Sequence, residues 1–232
     1  MKAFLLAAGY GTRLRPLTDT VPKCMVPIRG KPLLEWWFEL LLRHGVTDVL
    51  VNTHYLPGPV RSFLAEYDRR RTGLTAVEAY EPELLGSGGT VWHNRAFVQG
   101  EDSFLICYAD NLTSADLTAL LRFHETRGGA LTMALFHSDH PEACGIASLA
   151  EDGRITAFEE KPARPRGDLA NAGIYAAGSA LFGHFPDAPF IDFGRDVLPG
   201  LVGSMFGYEL SDRLIDIGTP EHYRRANEEW GT

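Results

Sequence analysis

Arg13 and Lys23 stand ten residues apart behind Gly9 and Gly11, directly after the apolar run Phe4 to Ala8. Glycines that follow a strand let backbone N–H groups approach an anion closely, because no Cβ intervenes. Pro16 and Pro22 stiffen the loop between the two cations. A neutral ligand needs no such arrangement, whereas a polyphosphate does. The spacing excludes two common phosphate motifs. Leu14 stands where a dinucleotide fingerprint wants its third glycine, and Lys23 does not follow Gly11 as a P-loop lysine would. A formal net charge of −8 argues against a nucleic-acid partner, whose phosphates need a basic face. An acidic chain that binds polyphosphate must gather its cations locally, and Arg13, Arg15 and Lys23 do so.

The elements that must hold this loop alternate. Phe4 to Ala8 is short enough for a buried strand and too short for a core helix. Helices are predicted over Pro32–Arg43, Val60–Arg71, Thr90–Ala96 and Ala115–Thr126, and strands over Thr47–Val51, Leu74–Tyr80 and Ser103–Tyr108. Strand and helix in this order imply an α/β fold, with a mostly parallel sheet covered on both faces. Ligands then sit outside the carboxyl ends of the strands, where Gly9, His54 and Asp110 fall. The second half reads as short strands over Leu131–Phe136, Gly145–Leu149, Arg154–Phe158, Asn171–Ala176, Met205–Leu210 and Arg213–Ile217. Helices begin at Ile191, running to Leu198, and at Thr219-Pro220-Glu221. No linker separates two domains, so residues 1–232 read as one domain, with a nucleotide half over about 1–128 and an acceptor half over about 129–232.

No apolar run approaches the roughly 18 residues of a membrane span. Cys24, Cys107 and Cys144 are odd in number and widely spaced, which fits free thiols in a reducing cytoplasm.

The string LAAGYGTRLRPLT followed by PKCMVPI and GKP resembles the signature of the nucleotidyltransferases that act on sugar 1-phosphates. Cys24 departs from it where the family often has proline. Further along, Asp110 in YAD and Asp216 in LIDIGTPEHY are similar to the family's two metal aspartates. Glu160-Lys161-Pro162, Asn171-Ala172-Gly173-Ile174-Tyr175, Gly145 and Gly86-Ser87-Gly88-Gly89 match its remaining segments, with Ser87 replacing threonine. Each piece alone has a plainer reading: an aspartate at a strand end is usually a turn former, and a lysine before proline is usually solvated. The motifs persuade because all occur in family order on one chain.

The resemblance implies a Rossmann-like (GT-A-like) mostly parallel mixed sheet flanked by helices, with an antiparallel acceptor-binding part and no β-helix extension. It implies transfer of a nucleotidyl group from an NTP to a sugar 1-phosphate, with pyrophosphate released. Under it Arg13 meets the β- and γ-phosphates, Lys23 the α-phosphate, and backbone at Leu6, Ala8, Gly9, Gly11 and Thr12 the base and phosphates. Asp110 and Asp216 would hold Mg²⁺, with Mn²⁺ able to substitute. Lys161 would take the sugar's phosphate, Glu160 and Asn171 its hydroxyls, and Gly145 would let backbone meet the sugar. Arg15 is a lesser candidate. The nucleophile is already an anion, so the absence of a recognisable Ser/His/Asp or Cys/His set is expected.

The base is read from Glu81 and Glu83, just before Gly86 and Gly88 of the segment that the resemblance places beside the base as nucleotide contacts. Guanine offers two adjacent donors, N1–H and N2–H₂, which match one carboxylate; either glutamate could supply it, Glu81 is named as the nucleotide contact, and GTP is placed first. If both glutamates are simply solvated, UTP is as good. A manno-configured sugar, mannose or heptose 1-phosphate, goes with GTP by resemblance. The alternatives are a cytidylyltransferase for a non-sugar phosphate, a uridylyl- or thymidylyltransferase, and a non-catalytic nucleotide-sugar sensor. No nucleic-acid or membrane partner is expected, and a homodimer is left open.

Overall fold

The computed structural model describes residues 1–231. From the amino terminus come β1 (Lys2–Leu6), the short β2 (Pro27–Ile28) and β3 (Lys31–Pro32), α1 (Leu33–Arg43), β4 (Asp48–Thr53), α2 (Pro57–Arg69) and β5 (Thr75–Tyr80). Then follow α3 (Gly86–His93), β6 (Phe104–Tyr108), β7 (Asn111–Thr113), α4 (Leu117–Arg127), β8 (Leu131–His137) and β9 (Gly145–Leu149). The order closes with β10 (Ile155–Glu160), β11 (Leu169–Ala177), β12 (Met205–Glu209), β13 (Leu214–Asp216) and α5 (Pro220–Glu229). The chain gathers into two compact units. The first takes Met1–Leu84, Tyr108–Ser114 and the chain from Asp212 onward; the second takes Leu85–Cys107 and Ala115–Ser211.

In the first unit β1, β4 and β5 run parallel, with Lys2 opposite Asp48 and Asp48 opposite Thr75. Ala3, Phe4, Leu5, Val49, Leu50 and Val51 are all buried, as parallel strands covered on both faces require. Helix α1 sinks Leu33, Leu34, Trp37, Phe38, Leu40 and Leu41 into this core. Trp37 is therefore core, and its indole Nε1–H donates to the Asn111 carbonyl at 2.8 Å. Trp36 is half-buried; its ring meets Trp230 edge-on, and its Nε1–H donates to the Ile28 carbonyl. An antiparallel ladder joins β7 to β13 and sets Asn111 opposite Asp216. Helix α5 opens as its sequence dictates: Thr219 Oγ1 accepts the His222 N–H at 3.2 Å, and Pro220 takes the first turn.

In the second unit β11 runs antiparallel to β6, β8 and β9, β10 returns against β9, and β12 is parallel to β8. Gly153, at φ +83°, makes the β9–β10 turn. The α/β class with a mixed sheet flanked by helices is thus as the sequence predicts, parallel strands first and antiparallel ones after.

Several elements differ from the sequence reading for local reasons. Strand β1 stops at Leu6, because the next N–H, on Ala7, donates to the Asn52 side-chain Oδ1 at 2.6 Å rather than to a neighbouring strand. The predicted helix Thr90–Ala96 instead starts at Gly86 and takes in the glycines, whose missing side chains let Ile191 approach. The helix predicted over Ile191–Leu198 is a π-helical turn, Phe193–Val197, followed by a 3₁₀ turn, Leu198–Leu201. Pro199 has no N–H to extend a longer helix.

His124 in α4 is buried, with Nδ1 3.0 Å from Thr132 Oγ1, and burial lowers its pKa from the ordinary 6.5. The folded chain therefore refuses a proton that the unfolded chain accepts. Its share of stability is full above pH 6.5 and is lost as pH falls below that value. Urea denaturation at neutral and mildly acidic pH should show a shallower loss for His124→Gln than for the natural chain. Identical losses would remove His124 from the account.

Candidate active site

The phosphate-loop residues, both aspartates and Glu81 all lie in the first unit. The loop after β1 turns at Gly11, where φ is +62° and an added Cβ would stand 3.0 Å from Thr18 Cγ2 and 3.1 Å from Lys23 Cβ. Only glycine meets both demands. Thr18 Oγ1 then donates to the Gly11 carbonyl at 2.8 Å, which fixes the turn. Gly9 and Thr12 are exposed, and a Cβ on Gly9 would meet nothing within 4 Å. Arg15 is spent on a surface pair with Asp19 at 3.1 Å.

Lys23 is different. Its 3₁₀ turn, Lys23–Met25, buries the aliphatic stem and leaves the side chain 10 % exposed. The ammonium donates to Asp110 Oδ2 at 3.0 Å and lies 3.7 Å from Asp216 Oδ1. Backbone bonds bring the two aspartates there: Ala109 N–H to Leu6 O at 2.9 Å, Ile217 N–H to Asp110 O at 3.0 Å, and the β7–β13 ladder beside them. Gly218 completes the cluster. A Cβ on it would stand 2.5 Å from Asp216 Oδ2 and 3.0 Å from Arg13 Nη2, so carboxylate and guanidinium both rest where a side chain would be.

The charges act on one another. Burial pushes the Asp110 carboxyl up, but the Lys23 ammonium, with Arg13 further off, outweighs it and holds the group below its ordinary value. Asp216 goes the other way. Burial raises it most, and the Asp110 charge adds to that against the offsets from Lys23 and Arg13. Both carboxylates stay open to solvent, at 44 % and 43 % exposure. Two hard oxygen donors that already share one cation suit a divalent ion such as Mg²⁺, which would take its remaining ligands from water and substrate. Among the described residues no group of three or more His, Cys, Asp or Glu side chains is placed to enclose a metal by itself. Cys24, beside Lys23, is pushed up to about 12 by burial and is inert as a thiolate.

Sequence reasoning missed Asn52. It sits at the carboxyl end of β4, accepts the Ala7 N–H through Oδ1, and donates through Nδ2 to Glu81 Oε1 at 2.9 Å. Glu81 is buried at 3 % exposure, whereas Glu83 is exposed. His54, which sequence gave no chemistry, links the same region: Nδ1 lies 2.8 Å from the Glu81 carbonyl and Nε2 3.0 Å from the Tyr10 hydroxyl. The signal for Asn52 was available, a polar side chain one residue past an apolar strand run.

The residues that the sequence reading assigns to the acceptor lie in the second unit. Gly145 pairs with Glu160 across the β9–β10 hairpin, and a Cβ on it would stand 2.7 Å from Glu160 Oε2. Burial raises the Glu160 pKa, offset in part by Lys161, whose Nζ lies 3.7 Å from Oε1. Lys161 itself is held at φ +49°, a left-handed backbone that side chains rarely adopt. Asn171 is engaged at both ends of its amide: Nδ2 donates to the Tyr175 hydroxyl at 2.7 Å, and Oδ1 accepts the Gly173 N–H at 2.9 Å. It shapes the bulge in β11 between Asn171 and Tyr175. The Gly88 N–H is likewise engaged, by the Ile191 carbonyl at 2.8 Å. Gly86, at φ +80°, turns against that same carbonyl.

Residues 2–231 match the family described as Nucleotidyl transferase. The chain is 33 % identical over 230 residues to a mannose-1-phosphate guanylyltransferase of Mycobacterium tuberculosis, covering 97 % of this chain and 63 % of that protein. It is 31 % identical over 243 residues to a UTP–glucose-1-phosphate uridylyltransferase of Synechocystis, covering 97 % and 62 %. The chain thus spans about three fifths of the length of these curated relatives. A Bacillus anthracis structure assigned as a glucose-1-phosphate thymidylyltransferase superposes with a TM-score of 0.87 at 26 % identity, covering 98 % of this chain and 94 % of that one. With the glycine loop after β1, the paired aspartates, the fold and a match over nearly the whole length in agreement, this chain belongs to the nucleotidyl transferase family.

Proposed function

We propose that this chain transfers a nucleotidyl group from an NTP to a sugar 1-phosphate, and that GTP is the preferred donor. The observation that carries the reading is the cluster of Arg13, Lys23, Asp110 and Asp216, two cations and two carboxylates gathered on the loop and ladder of one unit. A phosphate oxygen of the sugar phosphate attacks the α-phosphorus. The bond from that phosphorus to the oxygen bridging it to the β-phosphate breaks, and pyrophosphate leaves. The nucleophile needs no base, so positioning and charge neutralisation are what the protein supplies. Arg13 meets the β- and γ-phosphates as negative charge moves onto them. Lys23 leaves its carboxylates for the α-phosphate. Asp110 and Asp216 would hold Mg²⁺, which would supply further charge neutralisation. Lys161 holds the acceptor's phosphate, and Glu160 accepts from a sugar hydroxyl.

Glu81 supports the guanine reading. A buried carboxylate whose Oε1 accepts from Asn52 is fixed in plane, the geometry that the adjacent guanine N1–H and N2–H₂ donors call for. The guanylyltransferase relative points the same way, and a manno-configured sugar goes with it. The uridylyltransferase relative favours the second reading, UTP with a gluco-configured sugar. A pyrophosphate-release panel of four NTPs against several sugar 1-phosphates decides between them. GTP should lead, and a tenfold preference for UTP or dTTP would replace the guanylyl reading while leaving the reaction type in place.

Asp110→Asn and Asp216→Asn should each remove nearly all turnover while the circular-dichroism spectrum and weak nucleotide binding persist. EDTA should silence the natural enzyme, and added Mg²⁺ or Mn²⁺ should restore it. Full activity in EDTA, or in either variant, would overturn the role of the pair.

The two lysines should separate by substrate. Lys161→Ala is expected to raise KM for the sugar phosphate, and Lys23→Ala to depress kcat, because the Lys23 contact strengthens as the α-phosphorus reacts. Losing one such contact costs about 2–4 kcal/mol, roughly 30- to 1000-fold. Identical kinetic profiles for the two variants would end the division of roles.

A further inference from the structure

The serine of Gly86-Ser87-Gly88-Gly89 has a partner in the second unit that the reaction scheme does not use. Ser87 Oγ accepts the Phe193 N–H at 2.9 Å. On either side of it the backbone is fastened to the same segment: Gly88 and Gly89 N–H donate to the Ile191 carbonyl at 2.8 and 3.0 Å, and Ile191 N–H donates to Leu85 O at 2.9 Å. Gly88 permits this closeness, since a Cβ there would lie 2.7 Å from Ile191 Cγ2. The fastened segment runs straight into the π-helical turn Phe193–Val197. Asp192 Oδ1 accepts the Arg195 N–H at 3.0 Å and Asp196 Oδ2 accepts the Asp192 N–H at 2.7 Å, so the turn is tied at its entry too.

Gly194, in that turn, faces Glu160. A Cβ on Gly194 would stand 2.9 Å from Glu160 Oε2 and 3.2 Å from its Cδ, and one on Gly145 would stand 2.7 Å from the same oxygen. The Glu160 carboxylate therefore rests in a slot between two glycines. Gly145 belongs to a strand paired with the one that carries Glu160, so that wall is fixed by the sheet. The other wall is a turn, placed by the bonds to Leu85, Ser87, Gly88 and Gly89.

We propose that Ser87 is a positioning residue for the acceptor. Through Phe193 and Gly194 it sets the wall against which Glu160 is held, and so fixes the carboxylate that receives a sugar hydroxyl. The inference rests on the reading of Glu160 as that hydroxyl contact. The acceptor it implies is a polyhydroxylated ring phosphate, because an acceptor without hydroxyls gains nothing from a seated carboxylate. Phe193 is fully buried, so removing the Ser87 oxygen leaves its N–H without that acceptor and frees the turn to shift. Threonine keeps the oxygen.

The test is steady-state kinetics with the donor–acceptor pair most active in the panel above. The variants are Ser87→Ala, Ser87→Thr, Gly194→Ala, Glu160→Gln and the double Ser87→Ala/Glu160→Gln. Ser87→Ala and Gly194→Ala should each raise KM for the sugar phosphate by roughly fivefold or more, the scale of one lost hydrogen bond. KM for the NTP should stay within about twofold, and Ser87→Thr should restore the natural values. Adding Ser87→Ala to Glu160→Gln should change little further, since both act on one group. Multiplying effects in the double variant, or an equal rise in the NTP KM, would overturn the proposal. An unchanged sugar KM in Glu160→Gln would instead remove the reading of Glu160, and the proposal with it. If Ser87→Ala proves unfolded by thermal melting, Gly194→Ala decides, because its added methyl meets Glu160 directly.

Discussion

Asp110, in the turn before β7, and Asp216, at the end of β13, reach the same ammonium, and two like charges that close are tolerable only with a cation between them. Much of the first unit serves that arrangement. The β7–β13 ladder sets the spacing, the 3₁₀ turn at Lys23 delivers the ammonium through a buried stem, and Gly11 and Gly218 clear the space. The consequence is a cluster of two cations and two carboxylates that is neutral as a whole, and in the proposed reaction it is this cluster that meets the charge of a triphosphate. Arg13 and Lys23 supply the positive charge, and under the proposed mechanism the carboxylates would need a new counter-ion once Lys23 turned to substrate. The mirror-image pKa directions of the two aspartates express the same fact. Asp110 has the closer ammonium and stays ionised more easily, whereas Asp216 is left with the cost of burial.

Strand–helix alternation in the first half was legible in the sequence because parallel strands buried on both faces read as continuous apolar runs. The hairpin at Gly153 and the α5 start at Thr219 were legible because turns and caps carry their own residue chemistry. Boundaries failed where a side chain replaced a backbone partner. Strand β1 ends at Leu6 because Asn52, 45 residues downstream of Ala7, takes its next N–H. No local pattern encodes a bond of that span. The glycines of Gly86–Gly89 were read as a loop beside the base, but two of the three, Gly86 and Gly88, answer to a close approach by Ile191, again a tertiary fact. Asn171 was read as a ligand contact, and its amide is engaged inside its own strand.

The residues of the site were more legible than their neighbours. Cations and carboxylates announce their chemistry by type, and motif order places them on one chain. What type cannot reveal is which acid of a pair is buried. Glu81 and Glu83 are two residues apart, yet one is enclosed beside Asn52 and the other faces solvent, because only Glu81 follows directly on β5 and donates its N–H to Thr53 O. Register, rather than composition, makes that choice.

Lys161 occupies a backbone conformation, φ +49°, in which glycine or asparagine would be more comfortable. A position that carries a long cationic side chain in left-handed geometry gives up of order 1 kcal/mol of fold stability to keep its charge. Any procedure that improves this protein by stability alone, whether consensus replacement or automated sequence design, would therefore tend to rewrite position 161 along with Arg29, Leu56 and Arg71, which share that conformation. The result would be a chain that melts later and has lost the cation beside Glu160. If Lys161 holds the acceptor as proposed, thermal robustness and acceptor capture compete at one residue, and a stabilised variant should be built around Lys161 rather than through it.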